Sequence, residues 1–243
     1  MVEHLLRKDW SPEQISLWLA QDNHLSINHE WIYQHLREDK RRSGDLHRHL
    51  RCQKPRKKRY GTDDHRGQLR NRIFIDKRPA IVARRCRIGD WELDTIIGKG
   101  RKQAIVSLTE RKSRLALLAK VSSREAEGVK DAVLALLQPL AAHVHTITSD
   151  NGKEFARHEA IAKALGADFY FAHPYASWER GLNENTNGLI RQYFPKGCDF
   201  AKITDEDIQY VMNRFNNRPR QCLGIKTPNQ VFFGLDPPVA LVN

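Results

Sequence analysis

From about Ile88 onward the chain has an order of elements that few folds accommodate: three strand-like runs, then helix and strand in alternation. The runs Trp91 to Ile97, Ala104 to Leu108 and Leu115 to Val121 are rich in apolar residues and separated by short polar turns. Ser123 to Gln138 follows as an amphipathic helix, with Val129, Val133, Leu136, Leu137 and Leu140 at helical spacing. A strand (Val144 to Ser149), a helix (about Glu154 to Leu165), a strand (Asp168 to Ala172) and a helix (about Leu182 to Tyr193) come next. Such an order predicts an α/β architecture, a mixed sheet flanked by helices. Two capped helices close the chain. Thr204 to Phe215 carries one stripe of Ile208, Val211, Met212 and Phe215, and Thr227-Pro228-Asn229-Gln230 is a capping box that opens the other.

The first forty residues follow a different pattern. Ser11-Pro12-Glu13-Gln14 places Ser at N-cap, Pro at N1 and Gln at N3, with Trp10 and Ile15 set to staple the helix start. Asn28 begins a second helix with Ile27 and Ile32 in the staple positions. Ile32 and Leu36 share one face, leaving His29, Glu30, Tyr33, Gln34 and Arg37 more exposed. Two short helices joined by a polar turn fit a helix-turn-helix whose second helix reads DNA, or a plain helical hairpin.

Charge separates these regions. Residues 1–87 carry 21 Lys and Arg against 11 Asp and Glu, while residues 88–243 carry 20 against 18. An excess so placed favours an anionic polymer as partner, though a solvated basic surface would look the same. The stretch from Arg37 to Arg59, including Arg41, Arg42 and the run Lys57-Lys58-Arg59, has only Leu46 and Leu50 at core-forming spacing. It reads as a basic linker touching phosphates. The expected division is therefore 1–37 two-helix segment, 38–83 basic linker and 84–243 α/β core. Four dispersed cysteines (Cys52, Cys86, Cys198, Cys222) support neither a zinc site nor a disulfide framework. No apolar run is long enough to span a membrane, and Met1 to Trp10 lacks a signal-peptide core, so a cytoplasmic protein is expected.

Three acids stand where packing alone would not put them. Asp94 interrupts the strand Trp91 to Ile97, and a charge there is costly unless it is paired or bound to a metal. Asp90 and Glu92 share its strand face and are equally eligible. Asp150 ends a strand and precedes Asn151-Gly152, a turn at the edge where open α/β sheets hold ligands. Glu184 lies two residues after Leu182, about 200° round the helix from it. With Asn187 and Arg191 it faces away from the packing stripe. Three gathered carboxylates repel one another, and divalent cations relieve that repulsion. A pair of hard ions about 3.5–4 Å apart can then activate an attacking oxygen and steady a leaving one. Cap, turn or surface roles are the alternative for each acid taken singly.

These residues carry a resemblance. Trp91-x-x-Asp94-Thr95, Thr148-Ser149-Asp150-Asn151-Gly152 with Glu154-Phe155, and Gly181-Leu182-Asn183-Glu184 resemble the catalytic blocks of retroviral integrases and DDE transposases. The 33 residues between Asp150 and Glu184 match that superfamily's short final spacing. Gly89-Asp90-Trp91-Glu92, Tyr175 to Gly181 and Asn183 to Gly197 resemble, more narrowly, the insertion-sequence thirty (IS-thirty) family of bacterial transposases. The resemblance implies a ribonuclease-H-like five-stranded sheet, two Mg²⁺ (with Mn²⁺ able to substitute) and no further small-molecule cofactor. Its catalytic and metal-binding triad falls on Asp94, Asp150 and Glu184 rather than Asp90. It also implies a helix-turn-helix over Ser11 to Leu36, and cutting and joining of terminal inverted repeats in double-stranded DNA. A homo-multimer of a bacterial, nucleoid-associated protein would do this work. Tyr175, Trp178 and Arg180, between the second and third acids, are expected to position DNA, against the alternative of a tryptophan packed under its loop, and Asn187 and Arg191 beside the third acid are expected to contact DNA as well.

The chain departs from the family in three places. Leu93 stands where the family usually has Gly, and Trp31 where it has Thr. Members usually carry a further N-terminal DNA-binding segment, which is not expected in a chain starting at Met1, whether through a misassigned start, truncation or weakened terminal-repeat binding. The rival readings are a truncated, silent chain that binds terminal repeats and represses the element, and a ribonuclease-H-type nuclease without strand transfer.

Overall fold

The structure, a computed structural model, describes residues 1–22, 25–50, 69–174 and 176–235. Internal contacts divide the chain into two units, Met1–Asp63 with Asn216–Asn243, and Asp64–Phe215.

The larger unit is built on five strands: β1 (Asp90–Ile97), β2 (Ala104–Glu110), β3 (Ala116–Val121), β4 (Thr146–Ser149) and β5 (Asp168–Phe171). Their order is β3-β2-β1-β4-β5. The first three form an antiparallel meander, while β4 joins β1, and β5 joins β4, in parallel. Parallel neighbours need a crossover, and α5 (Ala126–Leu137) and α6 (His158–Leu165) supply the two connections. Val129, Val133 and Leu137 form the buried stripe of α5; Leu136, expected with them, is only partly buried. Two further helices, α7 (Gly181–Tyr193) and α8 (Asp205–Asn216), close one core over the sheet, where Ile96, Ile105 and Leu118 meet Leu189, Ile190 and Phe215. This is the ribonuclease-H-like mixed sheet flanked by helices.

The smaller unit holds α1 (Val2–Arg7), α2 (Pro12–Asp22) and α3 (His29–Arg41) around Leu5, Leu6, Ile15, Leu19, Ile32 and Leu36. Both expected starts form. Ser11 and Gln14 exchange main-chain and side-chain bonds at 2.9 and 3.3 Å, and Asn28 accepts from the Glu30 amide at 3.0 Å. Trp10 and Ile15 are buried, as a staple requires. The helix α1 has no counterpart in the sequence reading, because six residues show too little periodicity to register.

The division differs from the expected one on both sides of the core. After Phe215 the chain returns to the smaller unit: Gln14 Nε2 donates to the Pro219 carbonyl and Arg218 Nη1 to the Asp9 carbonyl, each at 2.5 Å. The last helix, α9 (Pro228–Phe233), starts with the expected capping box of Thr227 and Gln230. The segment expected as linker, 38–83, is not uniform. Leu46 is buried in the small core. Phe74 bridges Phe171 at the β5 edge, α4 (Ala80–Arg84) follows, and Val82 is fully buried in the larger unit. An edge strand with unpaired amides attracts such a cover, which its few apolar residues did not advertise. Among the described residues no helix is long and apolar enough to cross a membrane.

Candidate active site

Alternation along β1 sets Asp90, Glu92 and Asp94 on one face of the sheet. Register puts Thr146 and Thr148 of β4 beside the first two, and Thr109 and Ser107 of β2 beside Glu92 and Asp94. A polar stripe thus runs through a sheet that is otherwise apolar, and it needs partners. Asp90 has them: Arg87 donates through Nε at 3.0 Å and Nη2 at 2.9 Å, and Thr146 Oγ1 at 2.8 Å. Glu92 forms a buried ion pair with Arg111 and accepts the Asn183 main-chain N–H at 3.0 Å. Arg78 donates to Thr148 Oγ1 at 3.0 Å; its own pKa is lowered by burial and by the charge of Arg111. Asp90 and Glu92, open as alternatives on sequence grounds, are spent inside the fold.

Asp94 differs. Its side chain is 20% exposed and Asp150's is 33%. Asp150 follows β4 two residues after the rung Glu92↔Thr148, so the same register carries it alongside Asp94. Each acid anchors one oxygen to nearby backbone: Asp94 Oδ1 accepts from Thr95 N at 2.8 Å and Asp150 Oδ1 from Gly152 N at 2.9 Å. A Cβ at Gly152 would meet Glu154 Oε2 at 2.4 Å and Asp150 Oδ1 at 3.0 Å, so a side chain in this turn would have to displace the Glu154 carboxylate. The Oδ2 atoms face one guanidinium, Arg180, at 3.5 Å from Asp94 and 3.4 Å from Asp150. Burial is the main force that pushes the Asp94 carboxyl up to about 6; Arg180 opposes it, while Asp150 and Glu154 add to it.

On the other face of β1, Thr95 Oγ1 donates to Glu154 at 2.9 Å, and Arg124 pairs with the same carboxylate. Burial alone would raise Glu154, but the Arg124 bond and its smaller partners hold it below its ordinary value. Glu154 is a support for the Asp150 turn.

Helix α7 lies against β1 and β2. Asn187 Nδ2 donates to Asp94 Oδ2 at 2.9 Å, and the Oδ1 atom of that amide is buried without a partner. One turn earlier Asn183 is fully buried with neither amide atom bonded. Glu184, the third expected acid, is exposed on the same helix. Among the described residues no group of three or more His, Cys, Asp or Glu is gathered to hold a metal ion. The donor chemistry at the Asp94–Asp150 pair nevertheless suits a hard divalent cation: two carboxylate Oδ2 atoms facing one positive group, and an unpartnered amide oxygen on the residue bonded to Asp94.

Arg180 ends a 3-10 turn (Ser177–Arg180) that is latched from outside. The His173 main-chain N–H donates to Glu179 at 2.8 Å, its Nδ1 lies 2.9 Å from the same carboxylate, and its Nε2 is 2.8 Å from Asp76. The ring stacks on Phe74 with centroids 5.4 Å apart. Chiefly through the Glu179 bond, the His173 pKa is raised. Tyr175 and the Trp178 side chain fall outside the described residues, as do Lys57, Lys58 and Arg59. Arg191 spends its guanidinium on the carbonyls of Ile97 (2.8 Å) and Phe194 (3.4 Å).

In the smaller unit His29, Gln34, Arg37 and Arg41 of α3 and its C-cap Arg42 are exposed, with Tyr33 half-buried and bonded to Glu13 at 2.9 Å. Trp31 is 57% exposed and stacks on His35, and together with Gln34, Arg37, Glu38 and Arg41 they line a surface hollow. Sequence reading missed His35 and the partners Arg78, Arg87, Arg111 and Arg124. Acids at period two on a buried strand were the available signal for Arg87 and Arg111, since each such charge demands a cation.

A family model described as the integrase core domain matches residues 72–177. The chain is 48% identical to the transposase for insertion sequence element IS4351 of Bacteroides fragilis, over 94% of this chain and 70% of that protein. It is 37% identical to the transposase for IS1086 of Cupriavidus metallidurans, over 95% and 70%. With transposase InsI for IS30A of Escherichia coli it shares 35% identity, over 95% and 63%. In fold it resembles a chain from a cryo-EM structure of the simian T-cell lymphotropic virus intasome in complex with PP2A regulatory subunit B56 gamma. The TM-score is 0.50 at 18% identity, over 65% of this chain and 58% of that one.

Proposed function

Because the chain belongs to the IS-thirty family of insertion-sequence transposases, we propose that it cuts and joins the terminal inverted repeats of its element by metal-assisted phosphoryl transfer. The observation that carries this reading is the Asp94–Asp150 pair, two carboxylates at the exposed end of an otherwise neutralised row. Asp94 and Asp150 would hold the divalent cations, Mg²⁺ or Mn²⁺, with Glu184 joining from α7. Such ions supply activation of the attacking oxygen and neutralisation of charge on the phosphate and the leaving oxygen. The chain's own part is to aim these oxygens. Thr95 and Gly152 amides fix the Oδ1 atoms, and Asn187 holds Asp94 Oδ2 from the helix that bears Glu184.

The outer face of α3 would supply DNA contacts, with Arg37, Arg41 and Arg42 on phosphates and His29, Tyr33 and Gln34 near base edges. The basic residues Lys57, Lys58 and Arg59 would add affinity, and Tyr175 and Trp178 would steady the strand at the site. The protein would work in the bacterial cytoplasm as a homo-multimer on double-stranded DNA. A second reading, a silent repressor bound to terminal repeats, is favoured by one observation: Glu184 stands exposed, outside the pair.

Labelled inverted-repeat DNA with Mg²⁺ tests both readings. Wild type should nick and join, and Asp94→Asn, Asp150→Asn and Glu184→Gln should each lose about a thousandfold or more in rate while still binding DNA. Binding without cleavage by wild type would select the repressor.

A further inference from the structure

We propose that Arg180 is the resident counter-charge of the Asp94–Asp150 pair, and that its guanidinium must withdraw before the pair takes a divalent cation. The inference rests on the metal-binding reading above. Each acid has committed Oδ1 to a backbone amide, and the Oδ2 atoms, of which Asp94's also accepts from Asn187 Nδ2 at 2.9 Å, both face Arg180 at 3.5 and 3.4 Å. Its hydrogen bond to the Leu93 carbonyl is 3.3 Å long.

Those distances exceed good hydrogen bonds, which lie at about 2.7–3.2 Å. Arg87 grips Asp90 at 2.9 and 3.0 Å with two nitrogens, so the fold can build a permanent clamp where one is needed. At Arg180 it has built a charge contact instead. Carboxylate oxygens approach Mg²⁺ to about 2.0–2.1 Å, which leaves no room for a guanidinium between the same two atoms. A divalent ion would also repel the arginine. The two occupants exclude each other.

Position gives the exchange a consequence. Arg180 is the last residue of the turn Ser177–Arg180, and α7 starts at the next residue with Glu184 in its first turn. Glu179, beside Arg180, is held by His173. Withdrawal of Arg180 therefore acts on the turn from which Glu184 is carried, and links entry of the cation to recruitment of the third acid.

The full chain, free of DNA, should be titrated with Mn²⁺ by isothermal titration calorimetry as wild type, Arg180→Gln and Arg180→Lys. Loss of a competing charge should tighten Mn²⁺ binding by about tenfold in Arg180→Gln and lower the melting temperature of the metal-free protein. Arg180→Lys should fall between. A merely structural arginine would give the opposite result, weaker binding with the site disordered. Equal or weaker Mn²⁺ affinity in Arg180→Gln with native circular dichroism overturns the inference and leaves the metal site standing. Should that variant not fold, equal or weaker affinity in Arg180→Lys overturns it. Absence of Mn²⁺ binding in wild type and both variants overturns the metal reading and this inference together.

Discussion

Asp90 and Glu92 sit in the same row as Asp94, four and two residues away on one face of β1, yet their surroundings differ in kind. The inner two have no exposed surface and are matched by close partners, Arg87 and Arg111. Asp94 keeps some exposure, shares one loosely placed arginine with Asp150, and has a carboxyl raised to about 6. The inner acids are components of the fold. The outer acid is a cost that the fold carries, and a cation bound there would relieve it. The same residue type on the same strand face thus serves structure at one end and chemistry at the other, according to whether its charge is matched.

The sharpest way to break this contrast is at the inner end. Arg111→Met should destabilise the larger unit by about 3–5 kcal/mol in urea unfolding, because Glu92 is left buried and unpaired. The double variant Arg111→Met with Glu92→Met should recover most of that loss; if it does not, the pair contributes more than mutual neutralisation.

At the outer end the sign should reverse. The folded Asp94 pKa is raised above 3.8, so proton binding favours the fold below about pH 4, and that contribution is lost as pH rises through about 6. In chelator, Asp94→Asn should therefore match wild type near pH 4 and exceed it at pH 8, by at most about 3 kcal/mol. A variant less stable than wild type at pH 8 would place Asp94 with the inner acids.

Smaller effects should grade the row further. Asn187→Leu removes a donor from Asp94 Oδ2 and should cost about 1–2 kcal/mol at pH 8 in chelator, less at pH 4 where the carboxyl is neutral. Ser107 pairs across from Asp94 with a buried hydroxyl that has no partner, so Ser107→Ala should change stability by no more than about 0.5 kcal/mol. Ser113 donates to buried Glu110 at 2.6 Å, and Ser113→Ala should cost about 1–2 kcal/mol in the same assay.

Much of the fold was legible in the sequence because it depends on local rules. The capping boxes at Ser11 and Thr227, the cap at Asn28, the strand runs and the stripe of α8 involve residues within a few positions of one another. What was not legible involves distance along the chain. Arg111 is nineteen residues from Glu92, and no spacing rule ties them. Residues after Phe215 belong with the N-terminal unit, and no local pattern in them assigns them there. The candidate site divides in the same way. Its acids stand out by type and motif, whereas their ranking needed the partners of each.

By itself the sequence determined that acids would occupy a strand face and a strand end, since alternation and turn chemistry are properties of neighbouring residues. Only the tertiary structure decided which acids are free. That depends on where Arg87, Arg111 and Arg180 reach, and the reach of an arginine is set by the packing of the element that carries it. A charge on a buried strand announces a need, and the folded chain determines whether its own residues meet it or a ligand must.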